Sequence, residues 1–364
     1  MAFLFDDDHR QIVQEAERVL AAGYSPDRLR ALLETTGDHD EVFWSACREM
    51  GWTGIAVSED HGGLGLGPIE LGLTAQMAGR FAAGAPFLAT SFGVSETLRL
   101  HGTEDLQARH LPALAEGAVI GAIWLNAAFE DATLPLLSDG VLTGRIGPVA
   151  AGVQANLLVT LARQADGSEA LVLLDLDKTT QRRPVQTFDN SRGYADLSFD
   201  KAPATVLTDT NARTAALDLT ARVAVILAFE QLGVAEACME RARDFANERE
   251  AFGQPIGKFQ AIKHRIAEMY VANELARGAV LRAVLSLRDD APDLVARAGA
   301  ARLMAIDACE FAAHEAIQTH GAIGVTWEHD LHLFYRRSRA LTLELGASAA
   351  WQDIVADRII GAAA

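Results

Sequence analysis

Apolar residues recur three and four apart along the first third of the chain, as in HRQIVQEAERVLAA and SPDRLRALLE. That spacing gathers them into one stripe on one face of a helix. Glycine and proline punctuate these segments at Gly62-Gly63 and Gly67-Pro68, where a helix cannot continue. The pattern predicts an α-helical domain over residues 1–117. Between 118 and 210 the period shortens. Residues 157–161 and 171–174 form apolar runs on either side of Asp166-Gly167, a predicted hairpin. Ala195, Leu197 and Phe199 alternate with Asp196 and Ser198, as in a half-buried strand. A small β domain, barrel or sheet, is predicted there. From 211 the helical period returns in long stretches. Leu219, Val223, Ile226, Val234, Cys238, Ala242 and Phe245 mark one stripe of a helix about ten turns long. A second helix is predicted from near Gln254 to Arg288. A third should start after Asp290, with Pro292 in its first turn, and stop at Gly321. Two shorter helices follow. Long helices on short loops predict an antiparallel four-helix bundle over 211–364. The expected class is therefore α+β, in three domains, as a chain of 364 residues also favours.

Charge and cysteine content narrow the range of functions. The chain carries 49 acidic and 32 basic side chains, a formal net charge of −17. This balance disfavours binding to nucleic acid or to anionic membranes. Cys47, Cys238 and Cys309 are scattered without metal-ligand spacing, as suits a reducing compartment. The first residues, MAFLFDDDHRQ, place three acids where a signal peptide needs positive charge, and no apolar run reaches membrane-spanning length. A soluble cytoplasmic protein is expected.

Two segments carry chemistry. Residues 245–264 read FANEREAFGQPIGKFQAIKH and residues 317–328 read IQTHGAIGVTWE. Both closely resemble the paired signature segments of the acyl-CoA dehydrogenase family. Weaker likeness in SEDHGGLGLGPIE and HGTEDLQARHLPALAEG extends the resemblance over nearly the whole chain. The resemblance implies FAD bound at a subunit interface. One subunit holds the flavin ring, and its neighbour's bundle grips the pyrophosphate and adenosine. The matching gripping positions are Arg249, Gln260, Gln318 and Gly321, with Phe252 packing against the cofactor. A guanidinium offers a diphosphate forked donors, the amides add neutral hydrogen bonds, and a glycine admits close backbone approach. A lone arginine here would more simply pair with Glu248 or Glu250; within this spacing the cofactor role is favoured. Ala322 departs from the family, which usually has a second glycine there.

Such enzymes remove a proton and a hydride from adjacent carbons of an acyl-CoA, so a carboxylate must reach the α-carbon in a dry site. The two family locations for that base fall on Leu345 and on Val223, and neither is acidic. Glu344 is one residue early, a turn of about 100° on a helix. Glu230 follows Val223 by two turns, about 10 Å along the axis, and reads as an interior glutamate hydrogen-bonded to a neighbouring helix. The flavin half departs too. Leu125-Asn126-Ala127-Ala128-Phe129-Glu130-Asp131 and Gly147-Pro148-Val149-Ala150 stand where the family places hydroxyl and backbone donors. No catalytic residue is assigned to this chain.

The resemblance thus implies the base-less, β-type subunit of an α2β2 heterotetramer, of the kind that dehydrogenates steroid side-chain CoA thioesters. It would complete FAD binding for a homologous catalytic subunit, with an acyl-CoA substrate and an acceptor such as an electron-transfer flavoprotein. Two alternatives stand beside it: a self-sufficient homotetramer whose base has moved to Glu344 or Glu230, and a flavin-free scaffold that keeps only the fold. Residues 62–67 do not fit a dinucleotide-binding glycine pattern. His329 and His332 lack a third ligand for a metal and read as solvent-facing or capping residues. Asp6–Asp8 and Arg336-Arg337 read as solvated helix ends.

Overall fold

A computed structural model describes residues 6–83, 87–128, 132–176 and 180–361. Six helices come first: α1 (Asp7–Gly23), α2 (Pro26–Glu34), α3 (Glu41–Glu49), α4 (Pro68–Arg80), α5 (Phe87–His101) and α6 (Glu104–Ala115). Four of them begin on a side-chain cap. Asp6, Ser25, Asp40 and Thr103 each accept the amide of the residue three further on, satisfying a donor that the helix start leaves free. Asp7 and Asp8 lie in the first turn of α1, at the positive end of its dipole.

The middle of the chain forms a mixed sheet of eight strands among the described residues. These are β1 (Gly121–Trp124), β2 (Leu136–Ser138), β3 (Val141–Val149), β4 (Leu157–Gln164), β5 (Glu169–Asp175), β6 (Thr180–Pro184), β7 (Ala195–Pro203) and β8 (Thr205–Thr208). They lie in the order β6-β7-β3-β2-β4-β5-β8, with β1 also paired to β4. The predicted hairpin is β4–β5, in register at Arg163 opposite Glu169, with Gly167 in the left-handed conformation at its turn. Strand β4 is buried without a break from Leu157 to Ala162, because α5 and α7 pack over it. A strand covered on both faces loses its alternation.

The C-terminal helical domain starts with α7 (Ala212–Glu248), followed by a two-strand hairpin, β9 (Glu250–Ala251) and β10 (Gln254–Pro255). Then come α8 (Gln260–Arg288), α9 (Leu294–His320), α10 (Leu331–Leu343) and α11 (Ser348–Gly361). Helix α8 starts six residues later than the spacing predicts. Phe252 and Gly253, at φ 53° and 76°, turn the chain back on itself first. Pro292 lies just outside α9, which begins behind Asp293. No described helix is long and apolar enough to cross a membrane.

Helix α7 is the axis of the molecule, packed against α4, α5, α8 and α9. Every residue from Leu219 to Cys238 is buried, so its charged members must find partners inside the protein. Arg222 pairs with Glu96, Asp218 and Asp290; Glu236 takes Gln76, Arg80 and Arg277; Glu230 belongs to the site below. Two glycines set the approach of α4. A Cβ on Gly233 would lie 1.9 Å from the Gln76 carbonyl oxygen, and one on Gly79 would lie 2.1 Å from that of Glu230. Gly233→Ala must force these helices apart, and a loss of about 1–3 kcal/mol or more is expected in chemical denaturation. An unchanged midpoint would contradict this packing.

Candidate functional site

The first group of sequence-selected residues collects at one end of the C-terminal helices. Arg249 caps α7, Gln260 opens α8, Gln318 lies in the last turn of α9, and Gly321 ends it. The Phe245 ring stacks on His320 at 4.2 Å between centroids, which brings the ends of α7 and α9 together. Across the hairpin, the Ile256 amide donates to the Arg249 carbonyl at 2.7 Å, returning the chain to start α8 beside them. Arg249, Gln260 and Gln318 are exposed, and none makes a side-chain hydrogen bond or ion pair among the described residues. Neither Glu248 nor Glu250 takes the Arg249 guanidinium. Gly321 has φ 66°, and nothing lies within 4 Å of where its Cβ would be. Helix α8 begins without a side-chain cap, so its first amides also stay available. Phe252, at the hairpin tip, is 97% exposed. These are unspent donors and an unburied ring, a set that fits the phosphate-bearing half of a dinucleotide. A separate open cleft of about 420 Å³ lies between α7 and residues 328–330; Asp244, Glu248, Glu328 and Asp330 line it beside Arg241, so it is not itself a phosphate site.

The positions matched to a base sit elsewhere, in the interior. Val223 is 1% exposed and closes on α5, since a Cβ on Gly93 would meet both Val223 and Ile123 at 2.9 Å. Leu345 is buried and has φ 60°. Helix α10 ends at Leu343, so Glu344 and Leu345 are not successive helical positions. The expected 100° relation between them does not apply, and the left-handed residue sets their directions instead. Trp351 holds the segment by donating from Nε1 to the Leu345 carbonyl at 2.9 Å.

Around Glu230 and Glu344 the structure assembles a buried charge cluster. Arg192, at 0% exposure, donates from Nη1 to Glu230 at 2.8 Å, and from Nε and Nη2 to Glu344 at 2.8 and 3.1 Å. Tyr194 donates its hydroxyl to Glu344 at 2.7 Å. Arg337 spans all three domains: it donates to Asp189 at 2.6 Å, to Glu230 at 3.1 Å and to the Ala83 carbonyl at 2.9 Å. Arg302 donates to the Gln231 side chain and to the Leu341 and Glu344 carbonyls, tying down the end of α10. Three guanidiniums and three carboxylates balance in formal charge, although Arg302 donates only to an amide and to carbonyls. Beside Glu230 there is a cavity of about 10 Å³, no more than one water occupies.

Burial works against every charge here, and the partners decide the outcome. Desolvation lowers Arg192, but Glu230 and Glu344 outweigh it and raise its pKa well above the ordinary value. Burial, then Glu344, keep the Tyr194 phenol protonated far above its usual range. Arg302 meets mostly neutral acceptors, and burial brings it down to about 10. Burial pushes Asp189 up, yet Arg337, Ser191 and Arg192 prevail and hold it below the usual carboxylate range. A carboxyl with a depressed folded pKa stabilises the fold above its unfolded value of about 3.9, and that stability is lost as pH falls through the folded value. Acid unfolding is therefore expected to steepen below about pH 4, with Asp189→Asn flattening that limb in a circular-dichroism titration.

Two of the sequence expectations need correcting. Arg337 is not a solvated helix end: it is 1% exposed, while Arg336 stays outside, stacked on Phe188. His332 is not solvent-facing but buried, with its ring stacked on Trp327 at 5.1 Å; His329 accepts the Leu331 amide. Of the segments matched to the flavin half, Leu125, Ala128, Val149 and Ala150 are buried, and residues 129–131 lie outside the described ones. Arg192, Arg302 and Tyr194 were not singled out by sequence. Only a Glu at an apolar-stripe position, Glu230, signals that some buried cation must exist.

Two family models match separate stretches of the chain. The model of the acyl-CoA dehydrogenase N-terminal domain matches residues 6–118, and that of the C-terminal domain matches residues 214–360. Acyl-CoA dehydrogenase IpdE2 of Mycobacterium tuberculosis is 31% identical, over 91% of this chain and 91% of its own. Among solved structures, a chain of a variant of the Tcur3481-Tcur3483 steroid ACAD has TM-score 0.88 at 27% identity, covering 98% of this chain and 99% of that one. The ChsE4-ChsE5 complex from Mycobacterium tuberculosis contains a chain of the same fold, TM-score 0.88 at 21% identity, covering 99% of both.

Proposed function

The chain belongs to the acyl-CoA dehydrogenase family, whose members are FAD-dependent oxidoreductases acting on CH–CH bonds, and we propose that it is a subunit completing a cofactor site without owning a reactive base. One observation carries this reading. Both acidic candidates for a relocated base, Glu230 and Glu344, are occupied by Arg192 within a buried cluster. A base must leave its hydrogen bonds and meet substrate. These carboxylates would have to abandon a buried cation, and the cavity beside Glu230 admits only a water.

What remains available is the exposed end of the helical domain. There Arg249 would fork onto a diphosphate, Gln260 and Gln318 would add neutral donors, and the Gly321 backbone would approach closely, with Phe252 against the cofactor. FAD, when bound, supplies the hydride acceptor. A homologous, base-bearing chain would hold the flavin ring and the acyl-CoA, in an α2β2 assembly that passes electrons to an acceptor such as an electron-transfer flavoprotein. The Tcur3481-Tcur3483 steroid ACAD and the ChsE4-ChsE5 complex each pair two different chains by name, which supports a heteromeric reading and suggests a steroid side-chain CoA thioester as substrate.

Flavin content tests it. The chain is purified alone and after co-expression with a homologous, base-bearing acyl-CoA dehydrogenase chain, and each preparation is scanned for flavin absorbance. Flavin bound at full occupancy, with acyl-CoA oxidation, is expected only in the co-expressed complex, where Glu344→Gln should leave turnover within about twofold because no proton transfer passes through it. A fully flavinylated, active chain on its own would overturn the proposal in favour of the self-sufficient enzyme. No flavin with any partner would favour a scaffold.

A further inference from the structure

The segment that carries Gly321 is not held by its own domain alone. At one end His320 is pinned under Phe245. From there residues 321–325 form a short 3-10 helix with Ile323 and Val325 exposed, and the chain reaches the start of α10 through Trp327–Asp330. That second end is fastened by a residue nearly three hundred positions away. Arg30, on α2, donates from Nε to the Trp327 carbonyl at 2.7 Å, and from Nη2 to the Glu328 carbonyl at 2.8 Å and to Asp330 Oδ1 at 2.5 Å. Its remaining Nη1 is oriented by Asp27 at 2.7 Å. The Arg30 side chain is only 12% exposed, while its acceptors at Trp327 and Glu328 lie at the surface. His332 adds a stack on Trp327 and a contact to its carbonyl at 3.2 Å.

We propose that Arg30 is a positioning residue for the FAD grip: the N-terminal domain sets where the 320–330 segment presents Gly321. The inference rests on the cofactor reading given above. The guanidinium is the residue type that can do this, because one planar fork serves two carbonyls and a carboxylate at once. A lysine has the charge but a single nitrogen, and cannot reach all three. With Arg30 gone, the segment keeps its contacts with α9 and α10 but loses its tie to α2, and with it the N-terminal domain's hold on where Gly321 stands relative to Arg249. Arg30 touches no cofactor itself; it acts through the backbone of residues 327–330.

The test uses the assembled, cofactor-stripped complex and FAD as the probe. FAD affinity is measured by fluorescence titration for the parent, Arg30→Ala, Arg30→Lys and Arg249→Ala, alongside far-UV circular dichroism and the rate of proteolytic cleavage within 321–330. Arg30→Ala is expected to weaken FAD by about tenfold, the scale of one charge-assisted hydrogen bond, with unchanged secondary structure and faster cleavage in that segment. Arg30→Lys should fall between it and the parent. If Arg249→Ala loses FAD while Arg30→Ala binds it as the parent does, the positioning role fails and the cofactor reading stands. If Arg249→Ala keeps FAD, the cofactor reading itself fails and takes this inference with it. Should Arg30→Ala not assemble, Arg30→Lys carries the same comparison.

Discussion

Replacing Arg192 with methionine is expected to lower stability by about 3–5 kcal/mol, the cost of stranding a buried charge. The substitution leaves Glu344 with only the Tyr194 hydroxyl and Glu230 with only Arg337. Two carboxylates would then share a low-dielectric interior with too little positive charge. Urea denaturation measures the loss. Adding Glu344→Gln to Arg192→Met restores the balance of charge, with Arg302 and Arg337 against Asp189 and Glu230, and the double variant is expected to recover part of what the single one loses. If the single variant unfolds at the parental midpoint, the cluster is not what holds the sheet domain against α7 and α10. Should the double variant instead be worse than the single, packing around Arg192 matters more than its charge.

The second large effect concerns binding. Arg249→Ala in the assembled complex should raise the FAD dissociation constant by roughly 10- to 100-fold, as charge-assisted hydrogen bonds contribute about 1.5–3 kcal/mol and 1.4 kcal/mol is a factor of ten. Because Arg249 makes no ion pair among the described residues, its removal should not change the melting of the cofactor-free protein. That separation makes the result readable. Equilibrium dialysis reports the affinity, and a flavin content equal to the parent's would exclude Arg249 from the grip.

The fold was largely readable from periodicity. Three- and four-residue spacing predicted α7 because its apolar stripe runs from Leu219 to Phe245 with Glu230 as its one charged interruption, and the Asp166-Gly167 turn announced β4–β5. Helix α8 starts later than its predicted bound because Phe252-Gly253 turns the chain and Pro255 and Gly257 interrupt residues 254–259, local breaker signals that a stripe-based reading passes over. Of the candidate site, the grouping of the exposed residues was legible: Arg249, Gln260, Gln318 and Gly321 fall in two short segments at the ends of α7, α8 and α9, and their role toward a cofactor is a proposal. The cluster was not. Arg192, Glu230, Arg302, Arg337 and Glu344 come from four elements, and no local pattern says that an arginine beside another arginine, as at Arg336-Arg337, faces inward. Only the topology brings them together. Leu345 was a further blind spot, because a left-handed leucine breaks the helical geometry that spacing arguments assume.

The cluster also bears on descent. Its members cover one another's charge, so each alone is costly to remove. A lineage carrying it cannot gain a reactive carboxylate at position 345 by one substitution: the new acid would be a fourth buried anion against three cations. Acquiring one requires several concerted changes, and the early steps all weaken the fold. The reliance on a partner proposed above would then persist as a one-way ratchet, kept by the energetics of the interior rather than by any catalytic advantage.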